Sequence, residues 1–491
     1  MNAYTVNFSR PCHVHFIGIG GISMSGLAQI ILKEGFTVSG SDSKESALTR
    51  QLAALGAKIA YPQSAENITP DIDVIVYTAA IHEDNPEFAA AKSSGKPMLS
   101  RAEFLGQLMN NYDRSVAVAG THGKTTTTSM ITHILLAANA DPTISVGGIL
   151  KAIDGNIRVG SSDCFVTEAC EYTNSFLHFF PKYSVVLNVE AEHLDFFKDY
   201  DDIRHSFHRF LANTADDGAI ILNGEIPNRV ELTEGLSAKV ITYGFTEDFD
   251  VYASDIHYNA FGCASFVIHG AGGEQTPVKL LVPGKHNVSN ALAAYAVTSQ
   301  MGISPEAIVQ GLSAFTGTDR RFQYKGTLHP HTVDSSHCQN STTSSSPTVT
   351  IVDDYAHHPT EIRATLNAAR NICDAASDRA EGPRRIVCVF QPHTYSRTKA
   401  FLDDFADALS LADMVVLADI YAARETDDLG VSSKDILERL KARGVDAWYF
   451  PTTETFDGIE KFLLKNCIDG DLLITMGAGN ILEVGEHLLG Q

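Results

Sequence analysis

Short apolar runs alternate along the chain with longer segments whose apolar residues recur at helical spacing, a pattern that predicts repeated strand–helix units. His13 to Ile19 is the first run; glycines at 18–26 interrupt it, and Leu27, Ile30 and Ile31 then mark a helix face. Strands are expected at Thr37–Gly40, Asp73–Thr78 and Met98–Leu99, before the polar stretch Asn110-Asn-Tyr-Asp113. The next run, Val116–Ala119, breaks into Gly120-Thr-His-Gly-Lys-Thr-Thr126 and leads to a helical segment over Thr127–Ala138. Cys164–Thr167 and Tyr183–Val189 follow as strands. Residues 251–282 alternate in polarity around Gly262 and Gly270–Gly273, which reads as an antiparallel side sheet. Helices are expected after Gly284 and over Ser304–Phe315. Five more apolar runs (Val349–Val352, Arg385–Phe390, Met414–Ala418, Ala447–Phe450, Leu472–Thr475) predict a further doubly wound unit.

The expected fold class is therefore α/β in three domains: a Rossmann-like domain over 1–112, a central domain with a phosphate loop and a small antiparallel side sheet over 113–318, and a second Rossmann-like domain over 319–491. Residues 329–348 are rich in Ser and Thr and read as a mobile polar insertion.

A chain of 491 residues fits several domains, and its net charge of −22 argues against a nucleic-acid partner. No stretch reaches the ~18 apolar residues of a membrane span, and the first residues lack a signal-peptide pattern, so a cytoplasmic protein without membrane insertion is expected. The eight cysteines are scattered without a C-x-x-C pair and read as reduced core thiols.

Three stretches carry chemistry. Gly120 to Thr126 follows a strand and opens a helix, so its backbone N–H groups, Lys124 and the following hydroxyls suit a nucleoside triphosphate. The common P-loop is G-x-x-x-x-G-K-S/T, but Val118 stands where its first glycine would be, so this loop is shorter. Second, Gly18-Ile-Gly-Gly-Ile-Ser23 resembles a dinucleotide turn, with Asp42 placed about 20 residues on where a ribose-binding acid sits. Its third glycine is Ser23, which disfavours NAD and leaves a nucleoside diphosphate in another pose. Third, Glu168 and Glu171 end one strand, and Glu190, Glu192, His193 and Asp195 end another, where parallel sheets gather ligands. Carboxylates and an imidazole beside a triphosphate loop suggest Mg²⁺. Asn287 and Asn290 share a helix face, and by residue physics alone they cap that helix.

Ten stretches in order make the chain similar to the Mur ligases. They are GIGGISMSGLA (18–28), GSD (40–42), DNPE (84–87), AGTHGKTTTTSM (119–130), EACEYTNSFL (168–177), GKHNVSNALAA (284–294), RRF (320–322), DDYAHHPTE (353–361), FQPHTYSRT (390–398) and MGAGNI (476–481). The resemblance implies ATP-dependent joining of L-alanine to the carboxylate of UDP-N-acetylmuramate through an acyl phosphate, in peptidoglycan precursor synthesis. It also implies that the C-terminal domain closes over the nucleotide, and a monomer or weak homodimer is expected.

Carried over by position, Gly120, Thr121, His122, Gly123, Lys124, Thr125 and Thr126 hold ATP, with Lys124 on the transferring phosphate. Thr125, Glu168 and His193 resemble magnesium ligands. Asn287 and Asn290 resemble adenine contacts, Arg321 an arginine on the phosphates with Arg320 as its rival, and Asp354 a ribose-binding acid. Gly18, Gly20, Gly21, Ser23, Ser25, Asp42 and Arg101 are implied on the UDP-sugar. His357 is implied in catalysis, and His358, His393 and Arg397 line the amino-acid side.

Cys170 and Glu192 depart from the family pattern, which leaves open which of Glu168 and Glu171 leads. Arg204 to His208 lacks the lysine found in later-acting members, which favours the alanine-adding branch. The rivals are a tripeptide ligase of cell-wall recycling, an NAD-dependent dehydrogenase and a non-catalytic nucleotide-binding regulator.

Overall fold

A computed structural model describes residues 4–193, 196–259, 261–329, 348–377, 385–423, 425–426, 429–452 and 455–491. The polar insertion at 329–348 lies almost wholly outside these residues, as does Asp195. The chain forms two compact units, and its path passes between them within the segments 251–288 and at Ala314–Phe315.

The first unit opens with a five-stranded sheet in the order Lys58–Ala60, Thr37–Ser41, His13–Ile17, Val74–Tyr77, Met98–Ser100. Every pairing in it is parallel. Strands covered on both faces need apolar residues at successive positions, which is why they read as unbroken runs. The helix Ile22–Lys33 starts directly at the glycine turn, with Gly21 as its N-cap. Close packing of this helix depends on a glycine one turn later than a dinucleotide motif would place it. A Cβ on Gly26 would lie 2.3 Å from Ile157 Cγ1, so a larger residue there would push Ile157 away.

A ten-stranded sheet follows, in the order Gln275–Pro283, Cys263–His269, Val251–Tyr258, Lys239–Gly244, Ala219–Asn223, Tyr183–Val186, Arg114–Ala119, Cys164–Ala169, Thr143–Leu150, Gly155–Arg158. From Lys239–Gly244 to Thr143–Leu150 the pairings are parallel, and the Gly155–Arg158 edge is antiparallel. The three strands between 251 and 283 thus extend the central sheet; the expected side sheet is its continuation. Phe165, Phe176, Phe207 and Phe210 are fully buried in the core of this unit.

The second unit holds a six-stranded sheet in the order Gln323–Leu328, Val349–Asp354, Leu472–Met476, Ile386–Phe390, Met414–Leu417, Asp446–Tyr449. Gln323–Leu328 pairs antiparallel at the edge and the other pairings are parallel. No helix among the described residues is long and apolar enough to cross a membrane.

Candidate active site

The strand Arg114–Ala119 lies between Tyr183–Val186 and Cys164–Ala169, all three parallel, with Ala119 level with both Val186 and Ala169. Their C-terminal ends therefore open at one sheet edge, and the loops from Gly120, Cys170 and Leu187 start side by side. This register, set by three apolar runs, places the chemistry.

Gly120 and Gly123 take φ of 140° and 84°, conformations that favour glycine, and Gly123 caps the helix Lys124–Ala137. The loop is tied to the segment that follows the strand Tyr183–Val186. Asn188 Oδ1 accepts the His122 N–H at 2.8 Å while Asn188 Nδ2 donates to the His122 carbonyl at 3.1 Å. Thr121 Oγ1 accepts the Glu190 N–H at 3.0 Å. A Cβ at Gly123 would sit 2.8 Å from Asn290 Oδ1, so that amide lies against the loop. Gly123→Ala is expected to lower the unfolding free energy by about 1–2 kcal/mol, the cost of forcing an L-residue into the left-handed region. A urea unfolding midpoint equal to that of the parent would contradict this.

Lys124 does not project freely. Its ammonium donates to the carbonyls of Gly120 and Thr121 and to Glu171, with Nζ–Oε2 at 3.0 Å. Glu171 is buried, with the Lys124 side chain 16% and the Glu171 side chain 3% exposed. Burial is the largest influence on Glu171 and would raise its pKa, but the Lys124 charge, His193 and a backbone hydrogen bond together outweigh it and hold the carboxyl below its usual range. Burial is likewise the largest influence on Lys124 and disfavours its charge, and Glu171, together with Cys170 and Glu192, reverses that and raises the Lys124 pKa.

Potential ligand atoms of Glu171, Glu192 and His193 all lie within 4.8 Å of one another. Two carboxylates and an imidazole beside a phosphate loop suit a hard divalent cation. His193 is held by Glu171 at 3.6 Å and by the Tyr172 ring, with centroids 4.5 Å apart. Glu168 sits elsewhere. Its carboxylate accepts the Gly147 N–H, and a Cβ on Gly147 would meet Glu168 Oε2 at 2.7 Å. The next residue, Gly148, faces Thr125, whose Cγ2 lies 3.2 Å from where its Cβ would be. The Gly147–Gly148 pair thus makes room for Glu168 and Thr125, and of the two carboxylates between which the sequence left the choice open, Glu171 is the one beside the lysine. Neither Gly147 nor Asn188 was singled out from the sequence. A polar residue inside the run 183–189 was the available signal for Asn188.

At the other glycine turn of this unit, Asp42 Oδ2 accepts the Gly20 N–H at 2.8 Å. Gly18 has φ of 84°, and its missing Cβ would meet Thr78 Cγ2 at 2.7 Å. Arg101 Nη1 donates to Ser23 Oγ at 3.3 Å. Ser23 and Arg101 therefore converge beside the turn, whereas Ser25 is buried and bonds back to the Ile22 carbonyl.

In the second unit, Arg320 and Arg321 separate in role. Arg320 Nε donates to Asp353 at 3.1 Å and its Nη2 to the Gly477 carbonyl at 2.7 Å, a tie within the sheet. Arg321 reaches Glu361 at 3.3 Å instead. Asp354 is buried and accepts N–H bonds from Phe322 at 2.7 Å and Ala356 at 2.8 Å. Burial pushes its pKa up to about 6, against the lowering pull of Arg321. Asn287 Nδ2 donates to the Pro283 carbonyl at 2.7 Å, a local bond that does not cap the helix, since the unmet groups at a helix N-terminus are N–H donors.

The histidines of this unit are held by neighbours. His357 and His393 have ring centroids 5.4 Å apart, and His393 Nδ1 faces Arg397 Nη1 at 3.0 Å. The guanidinium can only donate, so His393 Nδ1 accepts. His358 is buried against Phe401, with ring centroids 4.9 Å apart.

Three family models match the chain in succession: the Mur ligase family catalytic domain over residues 13–113, the Mur ligase middle domain over 118–298, and the Mur ligase glutamate ligase domain over 341–479. A UDP-N-acetylmuramate–L-alanine ligase of Agathobacter rectalis is 61% identical over 486 residues, covering 99% of both chains. One of the same name from Lachnospira eligens is 54% identical over 488 residues, covering 99% of this chain and 100% of its own. Among solved structures, the UDP-N-acetylmuramate–alanine ligase of Thermotoga maritima matches with a TM-score of 0.73 at 29% identity, covering 97% of this chain and 98% of that one.

Proposed function

Since the chain belongs to the Mur ligase family, we propose that it joins L-alanine to the carboxylate of UDP-N-acetylmuramate with ATP as the energy source, a step in peptidoglycan precursor synthesis. The observation that carries the chemistry is the Lys124 ammonium held between loop carbonyls and Glu171 at the edge where three parallel strands end. Full-length relatives with that name support the substrates. We place the reaction in the cytoplasm, where ATP is available.

A carboxylate is a poor electrophile because its charge repels an incoming amine and an oxide ion cannot leave. Transfer of the γ-phosphoryl group to the muramoyl carboxylate gives an acyl phosphate and ADP. The alanine amine, having lost a proton, then adds to the carbonyl, and the tetrahedral intermediate collapses to the amide as inorganic phosphate leaves. Lys124 is placed to offset charge on the transferred group, and glycine N–H groups of the loop to bind the flanking oxygens. Mg²⁺ would be held by Glu171, Glu192 and His193, whose ligand atoms converge, with Thr125 and Glu168 as further donors on the Gly147–Gly148 side of the loop. When bound it would supply positive charge against the phosphates. Asp42, Ser23 and Arg101 suit the UDP-sugar, Asn290 the adenine side of the loop, Arg321 and Asp354 the nucleotide, and His357, His393 and Arg397 the amino acid.

The test is phosphate release with ATP, Mg²⁺ and UDP-N-acetylmuramate across a panel of amino acids and the preformed tripeptide. Release that depends on both the sugar and L-alanine is expected. Release with the tripeptide but not with L-alanine would replace this reading by the recycling ligase, and no release with any acceptor would leave a nucleotide-binding regulator.

A further inference from the structure

Glu361 occupies the first turn of the helix Pro359–Ser377, just beyond the strand Val349–Asp354. Its side chain is 10% exposed, and its two oxygens face different partners. Oε1 accepts from Arg321 Nη1 at 3.3 Å, and Oε2 accepts the His357 backbone N–H at 3.1 Å. The same Oε2 lies 3.3 Å from His357 Nδ1, which also faces the Tyr355 carbonyl at 3.0 Å. A carbonyl can only accept, so His357 Nδ1 must carry the hydrogen, and the Nε2 of the neutral ring is left as the acceptor. Arg321 is further steadied over the Tyr355 ring, 5.3 Å from its centroid.

We propose that Glu361 is a positioning residue that couples the nucleotide side of the site to the amino-acid side, one carboxylate oxygen setting the Arg321 guanidinium and the other holding the backbone N–H of His357 and, together with the Tyr355 carbonyl, the Nδ1–H side of its ring. The carboxylate does both jobs because its two oxygens are rigidly related. Turning it to follow Arg321 would release His357, and the reverse. An acceptor-only group at this point is what the tautomer needs. His357 Nε2 can then accept a hydrogen bond or proton from the ammonium of the incoming amino acid.

The kinetic meaning of this coupling rests on the ligase reading above; the tautomer does not. Full-length Glu361→Ala is expected to raise the KM for both ATP and L-alanine by about tenfold while leaving the KM for UDP-N-acetylmuramate within about twofold, since charge-assisted contacts are lost on two sides only. Glu361→Gln keeps an oxygen for His357 but not the charge for Arg321. It should bring the L-alanine KM back to within about threefold of the parent while the ATP KM stays high. A residue that only supported the fold would lower the active fraction and leave all three KM values alone, which would overturn the proposal.

Independently, ¹⁵N correlation of the histidine rings, with His357→Gln for assignment, should show the Nδ1–H form of His357 in the parent and a shift of that Nδ1–H signal in Glu361→Ala, where the Tyr355 carbonyl remains but the carboxylate is gone. An Nε2–H ring in the parent, or an Nδ1–H signal unmoved in Glu361→Ala, would overturn it as well. Should the parent use the tripeptide instead of alanine, the function reading fails while the ring spectrum still decides the role of Glu361.

Discussion

Lys124→Ala is expected to lower kcat by about a hundredfold to a thousandfold, the size of loss when one preorganised charge is removed from a site where negative charge is handled. The same change should also lower stability, for a reason unrelated to catalysis. Glu171 is 3% exposed and has Lys124 at 3.0 Å, so truncating the lysine leaves a buried carboxylate with a backbone hydrogen bond and, among the described residues, His193 at 3.6 Å to offset it. Removing one partner of a buried pair typically costs about 3–5 kcal/mol, although Lys124 retains some exposure and the lower end is the better guide. The two effects separate in Lys124→Ala/Glu171→Gln. The neutral amide removes the stranded charge, so the urea midpoint should recover much of its loss, while phosphate release stays low. Recovery of activity together with stability would show that Lys124 acts through the fold and not on the phosphates.

The sheets were legible because buried parallel strands leave no room for alternation. Val116–Ala119, Tyr183–Val189 and Ile386–Phe390 are apolar at nearly every position, and each is a central strand. Two of the edge strands escaped for the opposite reason, although Met98–Ser100 and Asp446–Tyr449, also at edges, were read. Lys58–Ala60 offers three residues with one apolar neighbour pair, and Gln323–Leu328 is half-exposed throughout and carries a glycine at φ of 156°. Neither has a buried face strong enough to write a pattern.

The site was legible as motifs but not as geometry. That Gly120–Thr126 would grip phosphate followed from strand, glycine, lysine and helix in one order. Which carboxylate meets Lys124 did not. Glu168 and Glu171 stand three residues apart, one at the end of a strand and the other in the turn beyond it. The turn runs on through Thr173 and Asn174, which take φ of 55° and 57°, conformations that no local composition announces. Asn287 and Asn290 share a helix face yet meet different groups: Asn287 donates locally to the Pro283 carbonyl, which is not the cap that residue physics suggested, while Asn290 lies against the phosphate loop.

Glu168→Gln and Glu171→Gln should therefore fail in different ways although they lie on one loop. Glu168 accepts a neutral backbone N–H from Gly147, a bond that a glutamine oxygen also accepts. Its substitution should leave the urea midpoint close to that of the parent. The charge it brings toward Thr125 is lost, so the Mg²⁺ concentration for half-maximal phosphate release should rise by about tenfold, the lower end of what loss of a metal-site contact costs. Glu171→Gln takes the counter-charge from Lys124, which is 16% exposed and otherwise held by two carbonyls. Burial then acts against the ammonium with only weaker influences such as the Glu192 charge to oppose it, so stability should fall by about 3 kcal/mol at pH 7. Because the folded-state pKa of Lys124 is raised in the parent, the stability it contributes is present below the unfolded lysine value and is lost as pH rises through the folded value. The difference between parent and Glu171→Gln should accordingly persist at pH 7 to 9 and narrow only at more alkaline pH. Urea unfolding across that range, beside Mg²⁺ titrations of both variants, reads the two effects separately. Equal shifts in the Mg²⁺ curves with no loss of stability in Glu171→Gln would mean that the Lys124 pair contributes nothing to the fold and that both carboxylates serve the cation alike.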